Sequence, residues 1–74
     1  MKPSERLRLV MKDKKITSKE LAERSGRAPI TVYGMFSRDK NTKKDGMTYR
    51  VVEELVEAMG CEIIIRDKET GKEY

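Results

Sequence analysis

The side chains that most often perform chemistry are scarce in this chain. Of its 74 residues none is histidine and one, Cys61, is cysteine, so a single chain cannot assemble a zinc site or a Cys/His nucleophilic pair. One cysteine forms no intramolecular disulfide, which fits a reducing interior. The phosphate-cradling patterns GxxxxGK[ST] and GxGxxG do not occur in the sequence. Carboxylates are plentiful but spread among lysines, as on solvated helix faces. No catalytic residue, metal or cofactor is therefore expected, nor enzymatic activity. What remains is positive charge, 17 Lys and Arg against 13 Asp and Glu for a net +4, whose meaning depends on where it clusters. Residues 38–44 hold Arg38, Lys40, Lys43 and Lys44 against one acidic residue, whereas Glu53, Glu54, Glu57 and Glu62 make a later stretch acidic. The expected molecule has a basic side and an acidic side.

Size limits what can carry those charges. With 36% of residues hydrophobic, 41% charged and four aromatic, the chain is one small domain with a modest core. Apolar surface shared with a second copy is expected to supplement that core. The longest apolar run, Ile63-Ile64-Ile65, is far short of a membrane span, and the N-terminus lacks a signal-peptide h-region. A cytoplasmic protein is expected, without membrane contact.

Periodicity then places four helices. Pro3-Ser4 followed by Leu7, Val10 and Met11 predicts a first helix over about Ser4 to Lys14, with Ile16 at the turn out of it. Thr17 and Glu20 form a capping box for a short second helix, with Leu21, Ala22 and Ser25 facing inward. Gly26 suits the left-handed conformation that stops a helix, and Pro29 suits the first turn of another. Val32, Met35 and Phe36 mark the inward face of that third helix. The stretch Arg38 to Gly46 has no apolar residue and reads as a long loop. Thr48 caps a fourth helix running through Met59, with Val52, Leu55, Val56 and Met59 on one face and Gly60 at its end. In CEIIIRDKETGKEY the period changes. Cys61, Ile63 and Ile65 alternate with Glu62, Ile64 and Arg66, predicting a strand, a turn at Asp67 to Gly71 and a short return over Lys72 to Tyr74.

Two short helices joined by a tight glycine-containing turn form a helix-turn-helix, whose second helix can lie in the major groove of DNA. The stretch SKELAERSGRAPITVYGMF resembles the motif of the Cro/repressor (XRE) family. The matching positions are Leu21, Ala22, Gly26, Val32 and Met35, with small Ala22 allowing a close helix crossing over Val32. Two positions depart from the family pattern: Arg27 stands where an apolar residue is usual, and Ala28-Pro29 replaces a hydrophilic cap. The resemblance covers about residues Ser4 to Gly60. It implies a mainly α, four-helix Cro/repressor-like domain over residues 1–60 (motif 18–37), with residues 61–74 as a short C-terminal β-hairpin or strand.

The resemblance also implies roles. Ala28, Pro29, Ile30, Thr31, Tyr33, Gly34 and Ser37 would face the bases, although Tyr33 and Ile30 could instead pack on the core. Ser18, Lys19, Arg27, Arg38, Lys40, Lys43 and Lys44 would contact phosphates, which set register without reading sequence. A monomer grips too few base pairs, so a homodimer on a palindromic double-stranded operator is expected. Cys61, Ile63, Ile64 and Ile65 are its candidate interface, through the free edge of the C-terminal strand; the hairpin folding back on its own helices is the alternative. The implied function is a small repressor-type transcriptional regulator of bacterial or phage origin, acting in the cytoplasm or nucleoid. Competing readings are an antitoxin that binds both DNA and a toxin partner, and a protein-interaction module that binds no DNA.

Overall fold

The computed structural model describes residues 2–41 and 47–74. Helix α1 spans Pro3–Lys14, α2 Ser18–Ser25, α3 Pro29–Asn41 and α4 Tyr49–Ala58. The starts are set by local chemistry. Pro3 opens α1, where its missing amide costs nothing, and the Lys2 amide donates to the Glu5 carboxylate at 3.1 Å. The Thr17 hydroxyl accepts from the Glu20 amide at 3.1 Å and donates to the Glu20 carboxylate at 3.4 Å. Thr48 repeats the cap for α4, accepting from the Val51 amide at 3.3 Å.

Three of the helices stop in the same way. At Lys15, Gly26 and Gly60 the backbone turns left-handed, with φ of 57°, 72° and 74°. The next amide then reaches back five residues: Ile16 to the Met11 carbonyl at 2.9 Å, Arg27 to Ala22 at 2.9 Å, Cys61 to Val56 at 3.0 Å. This is the Schellman arrangement, which satisfies carbonyls that the helix end would otherwise leave open. Lys15 is the non-glycine case, and its Cβ makes the left-handed conformation unfavourable by about 1 kcal/mol. Burial of the following residue, Ile16, at 6% exposure offsets that cost.

The third helix runs further than its composition suggests. The expected loop begins at Arg38, but α3 continues to Asn41. An apolar residue is not required to propagate a helix, and Arg38, Asp39 and Lys40 contain no breaker. The lack of apolar residues there limits burial and not helical backbone.

α3 and α4 each pack against both α1 and α2. Leu21, Ala22, Val32 and Leu55 are fully buried at their junction, with Leu7, Met11, Phe36, Met47 and Met59 around them. Ala22 offers a methyl where α2 meets α3, so Val32 can sit against it. The Lys14 ammonium donates to the Met59 carbonyl at 2.6 Å, tying the end of α1 to the end of α4, where a cation also favours the helix dipole. Across the α2–α3 turn, Arg27 forms an ion pair with Glu54 of α4, and Arg50 approaches the other Glu54 oxygen at 3.4 Å.

The C-terminal segment turns back where expected but without a strand among the described residues. The chain does reverse at Asp67 to Gly71, where the Asp67 side chain accepts from the Glu69 amide at 2.8 Å and the Gly71 amide donates to the Asp67 carbonyl at 2.8 Å. The Asp67 amide donates to the Lys72 carbonyl at 2.8 Å and the Tyr74 amide to the Ile65 carbonyl at 2.9 Å, on either side of one antiparallel bridge, Arg66 with Glu73, and no strand forms among the described residues. Of the β-branched run Ile63 to Ile65, only Ile65 takes part in this pairing, through its carbonyl.

Two stability measurements follow from these contacts. Lys15→Gly removes the left-handed penalty at an exposed position and is expected to raise stability by about 0.5–1 kcal/mol, a few degrees in Tm; a fall in Tm would mean α1 does not end there. The hydrogen bond from Arg27 holds the Glu54 carboxyl below its ordinary value against partial desolvation, and the charges of Arg27 and Arg50 add to the lowering. A lowered native pKa gives stability that is present above the ordinary carboxylate range and disappears as pH falls through the native value. Glu54→Gln should therefore flatten the decline of Tm between about pH 5 and about pH 3; an acid limb identical to the parent protein's would remove Glu54 from the account.

Candidate nucleic-acid interface

The left-handed residue at Gly26 and the proline at 29 fix how α3 leaves α2. The Ala28 carbonyl accepts from the Thr31 and Val32 amides at 3.0 and 3.3 Å, so Ala28 is the entry point of α3 and Pro29 its first helical residue. From there the helix divides cleanly. Val32 and Phe36 are buried and Met35 is packed against the core, while Ile30, Tyr33, Gly34 and Ser37 recur at i, i+3, i+4 and i+7 on the opposite side.

That outer side holds the residues expected to face the bases. Ala28, Pro29, Thr31 and Ser37 are exposed, Ile30 is 80% and Tyr33 59% exposed, and Gly34 is half-buried. Tyr33 and Ile30 thus stand in solvent, not in the core, which was the alternative for both. Gly34 has open space at its missing side chain, since a Cβ built there meets nothing within 4 Å.

The expected phosphate contacts are placed unevenly. Lys19 is exposed and Ser18 half-buried in the first turn of α2, and Arg38 is exposed in the later half of α3. Lys40 lies in α3. Lys43 and Lys44 lie outside the described residues. Arg27 differs from its expected place: its side chain is 20% exposed and committed to Glu54. At this position, where an apolar residue is usual in the family, Arg27 carries its charge to an acidic partner on α4. Glu54, assigned by sequence to the acidic side, accordingly lies against the motif turn.

One cation was missed. Arg50 shares Glu54 with Arg27, which places the start of α4 beside the α2–α3 turn, yet its own side chain remains 88% exposed. The i,i+4 spacing of Arg50 and Glu54 was readable in the sequence. Their proximity to the turn was not, because it depends on how α4 crosses α2.

The candidate dimer residues split between two environments. Cys61 and Ile63 are half-buried, Ile64 is 41% and Ile65 68% exposed. Ile63 and Ile64 join Leu7 and Val10 of α1 and Val52 and Val56 of α4 around an apolar groove of about 400 Å³. The tail therefore lies along its own α1 and α4 with Ile65 directed away. Among the described residues no group of three or more His, Cys, Asp or Glu could hold a metal ion, and no helix is long and apolar enough to cross a membrane.

Comparison with known proteins agrees with this geometry. No curated protein and no solved structure matches the chain significantly. A family model described as Cro/C1-type HTH DNA-binding domain matches residues 6–64, from the second turn of α1 to the apolar tail. The buried Leu21, Ala22 and Val32, the left-handed Gly26 and the outward face of α3 all fall within that match, and the chain belongs to the Cro/C1-type helix-turn-helix DNA-binding domain family.

Proposed function

We propose that this chain is a small homodimeric transcriptional regulator that binds a palindromic double-stranded operator in a bacterial or phage-infected cytoplasm, with α3 in the major groove. The observation that carries the reading is the outer face of α3. Ile30 and Tyr33 stand exposed on it, and exposed cations lie at the start of α2 (Lys19), further along α3 (Arg38) and at Glu54 beside the motif turn (Arg50). A groove helix needs an unoccupied face for base edges and cations beside it for phosphates. The dipole and first-turn amides of α2 add to Ser18 and Lys19 in favouring a phosphate there.

The reading assigns different work to the three arginines. Arg38 and Arg50 meet phosphates, while Arg27 holds the turn to α4 and contributes to binding through the fold. Dimerisation uses the tail. Ile65 and Tyr74, 68% and 72% exposed, pair with each other through the Tyr74 amide and the Ile65 carbonyl, so the backbone offered to a second copy is that of residues 62–64.

Fluorescence anisotropy on duplexes selected from random DNA tests both parts. Binding should weaken steeply with salt, and Arg50→Ala should reduce the slope of log K against log salt by about one while leaving Tm nearly unchanged. Arg27→Ala should instead lower Tm and leave the slope of the remaining folded protein close to the parent value. Equal effects on slope from the two variants would return Arg27 to the phosphates. Ile65→Asp should convert a dimer to a monomer in sedimentation; a dimer that persists would move the interface elsewhere.

A further inference from the structure

The residues from Ala28 to Ser37 form the longest stretch without a charged side chain, ten residues in a chain where 41% of all residues are charged. Those that face outward offer no Arg, Lys, Asn, Gln, Asp or Glu. These are the side chains that form the bidentate or charge-assisted hydrogen bonds by which one base is told from another, whereas hydroxyls such as those of Thr31, Tyr33 and Ser37 both donate and accept and so discriminate weakly. What the face does offer is apolar. Ile30 stands 80% exposed on the first turn, with the Tyr33 ring 59% exposed one turn on.

Two of these choices work against the monomer. An isoleucine side chain left in water forgoes the gain of burial, and glycine inside a helix is less favourable than alanine by about 1 kcal/mol. Nothing in the packing demands Gly34, since its φ is not left-handed and a Cβ would meet nothing. Both residues become intelligible if another surface closes over them, with Gly34 letting the helix come near and Ile30 supplying the contact.

We infer that α3 reads its operator through the C5 methyl groups of thymine, by van der Waals contact with Ile30 and close approach at Gly34. The inference rests on the DNA-binding reading above and specifies its substrate. In the major groove the methyl group is the apolar feature that marks a T·A pair, and its removal leaves every hydrogen-bonding group of the pair in place. The specified operator is one whose half-sites place thymines under the first two turns of α3.

Random-sequence duplexes are enriched for binding to the full chain, and the best binder is then made in two forms, with thymine or with deoxyuridine throughout. Loss of one buried methyl should weaken binding about fourfold, and loss of two about fifteenfold. Ile30→Ala, at a solvent-exposed position that leaves the core intact, should bind the thymine duplex more weakly and shrink the thymine-to-uracil ratio toward one. Equal affinity for both duplexes with an intact salt dependence overturns methyl readout while DNA binding stands. A ratio unchanged in Ile30→Ala overturns the assignment to this face. Failure to enrich any duplex overturns both readings and leaves the apolar face of α3 as a protein-docking surface.

Discussion

The left-handed backbone at Gly26 is the constraint from which the rest of the arrangement follows. With φ at 72° and the Arg27 amide bonded to the Ala22 carbonyl, the chain leaves α2 in one direction only, and Pro29 converts that direction into a new helix three residues after Gly26. Because the turn is this short, the face of α3 that meets α2 is decided before any side chain packs. Val32 joins Leu21 and Ala22 in the core, and Ile30, Tyr33 and Ser37 fall outside. An L-residue with a Cβ at 26 would strain this turn even though space around it is open, because the limitation is conformational and not steric crowding by neighbours.

A second constraint is electrostatic. The motif turn is also held from α4, through Arg27 and Glu54, and Arg50 draws on the same carboxylate. A half-exposed pair of this kind adds modestly to stability because water screens it, but it fixes geometry. It converts one cation of the motif from a surface charge into a strut and brings another to the rim of the same turn. The basic residues that surround α3 therefore cannot be counted from the sequence as equivalent charges.

Much of the architecture was legible because it depends on local rules. The Thr17 and Thr48 caps, the glycine stops at 26 and 60 and the apolar stripes of all four helices are encoded within a few residues of where they act. The left-handed stop at Lys15 was hidden because its residue type carries no signal; the stabilising partner is the burial of Ile16, a tertiary event. The extension of α3 to Asn41 was hidden for the opposite reason, since helix propensity persists where amphipathicity ends. No strand forms at Cys61 to Ile65 among the described residues: β-branched composition describes a segment suited to pairing, and pairing depends on a partner segment that local composition does not specify.

The site was legible to a different degree. Which residues of α3 face outward is a matter of helical period, and the period was sufficient. Which cations gather at the motif turn depends on the crossing of α4 and α2, and sequence spacing was not sufficient. The separation also bears on selection of residues at such a surface. The buried stripe of α3 shares the core with Leu21, Ala22 and Leu55, whereas Ile30 is 80% exposed and a Cβ at Gly34 would meet nothing within 4 Å. An exposed apolar side chain and a helix-weakening glycine, placed together where packing demands neither, locate the constraint on them outside the monomer.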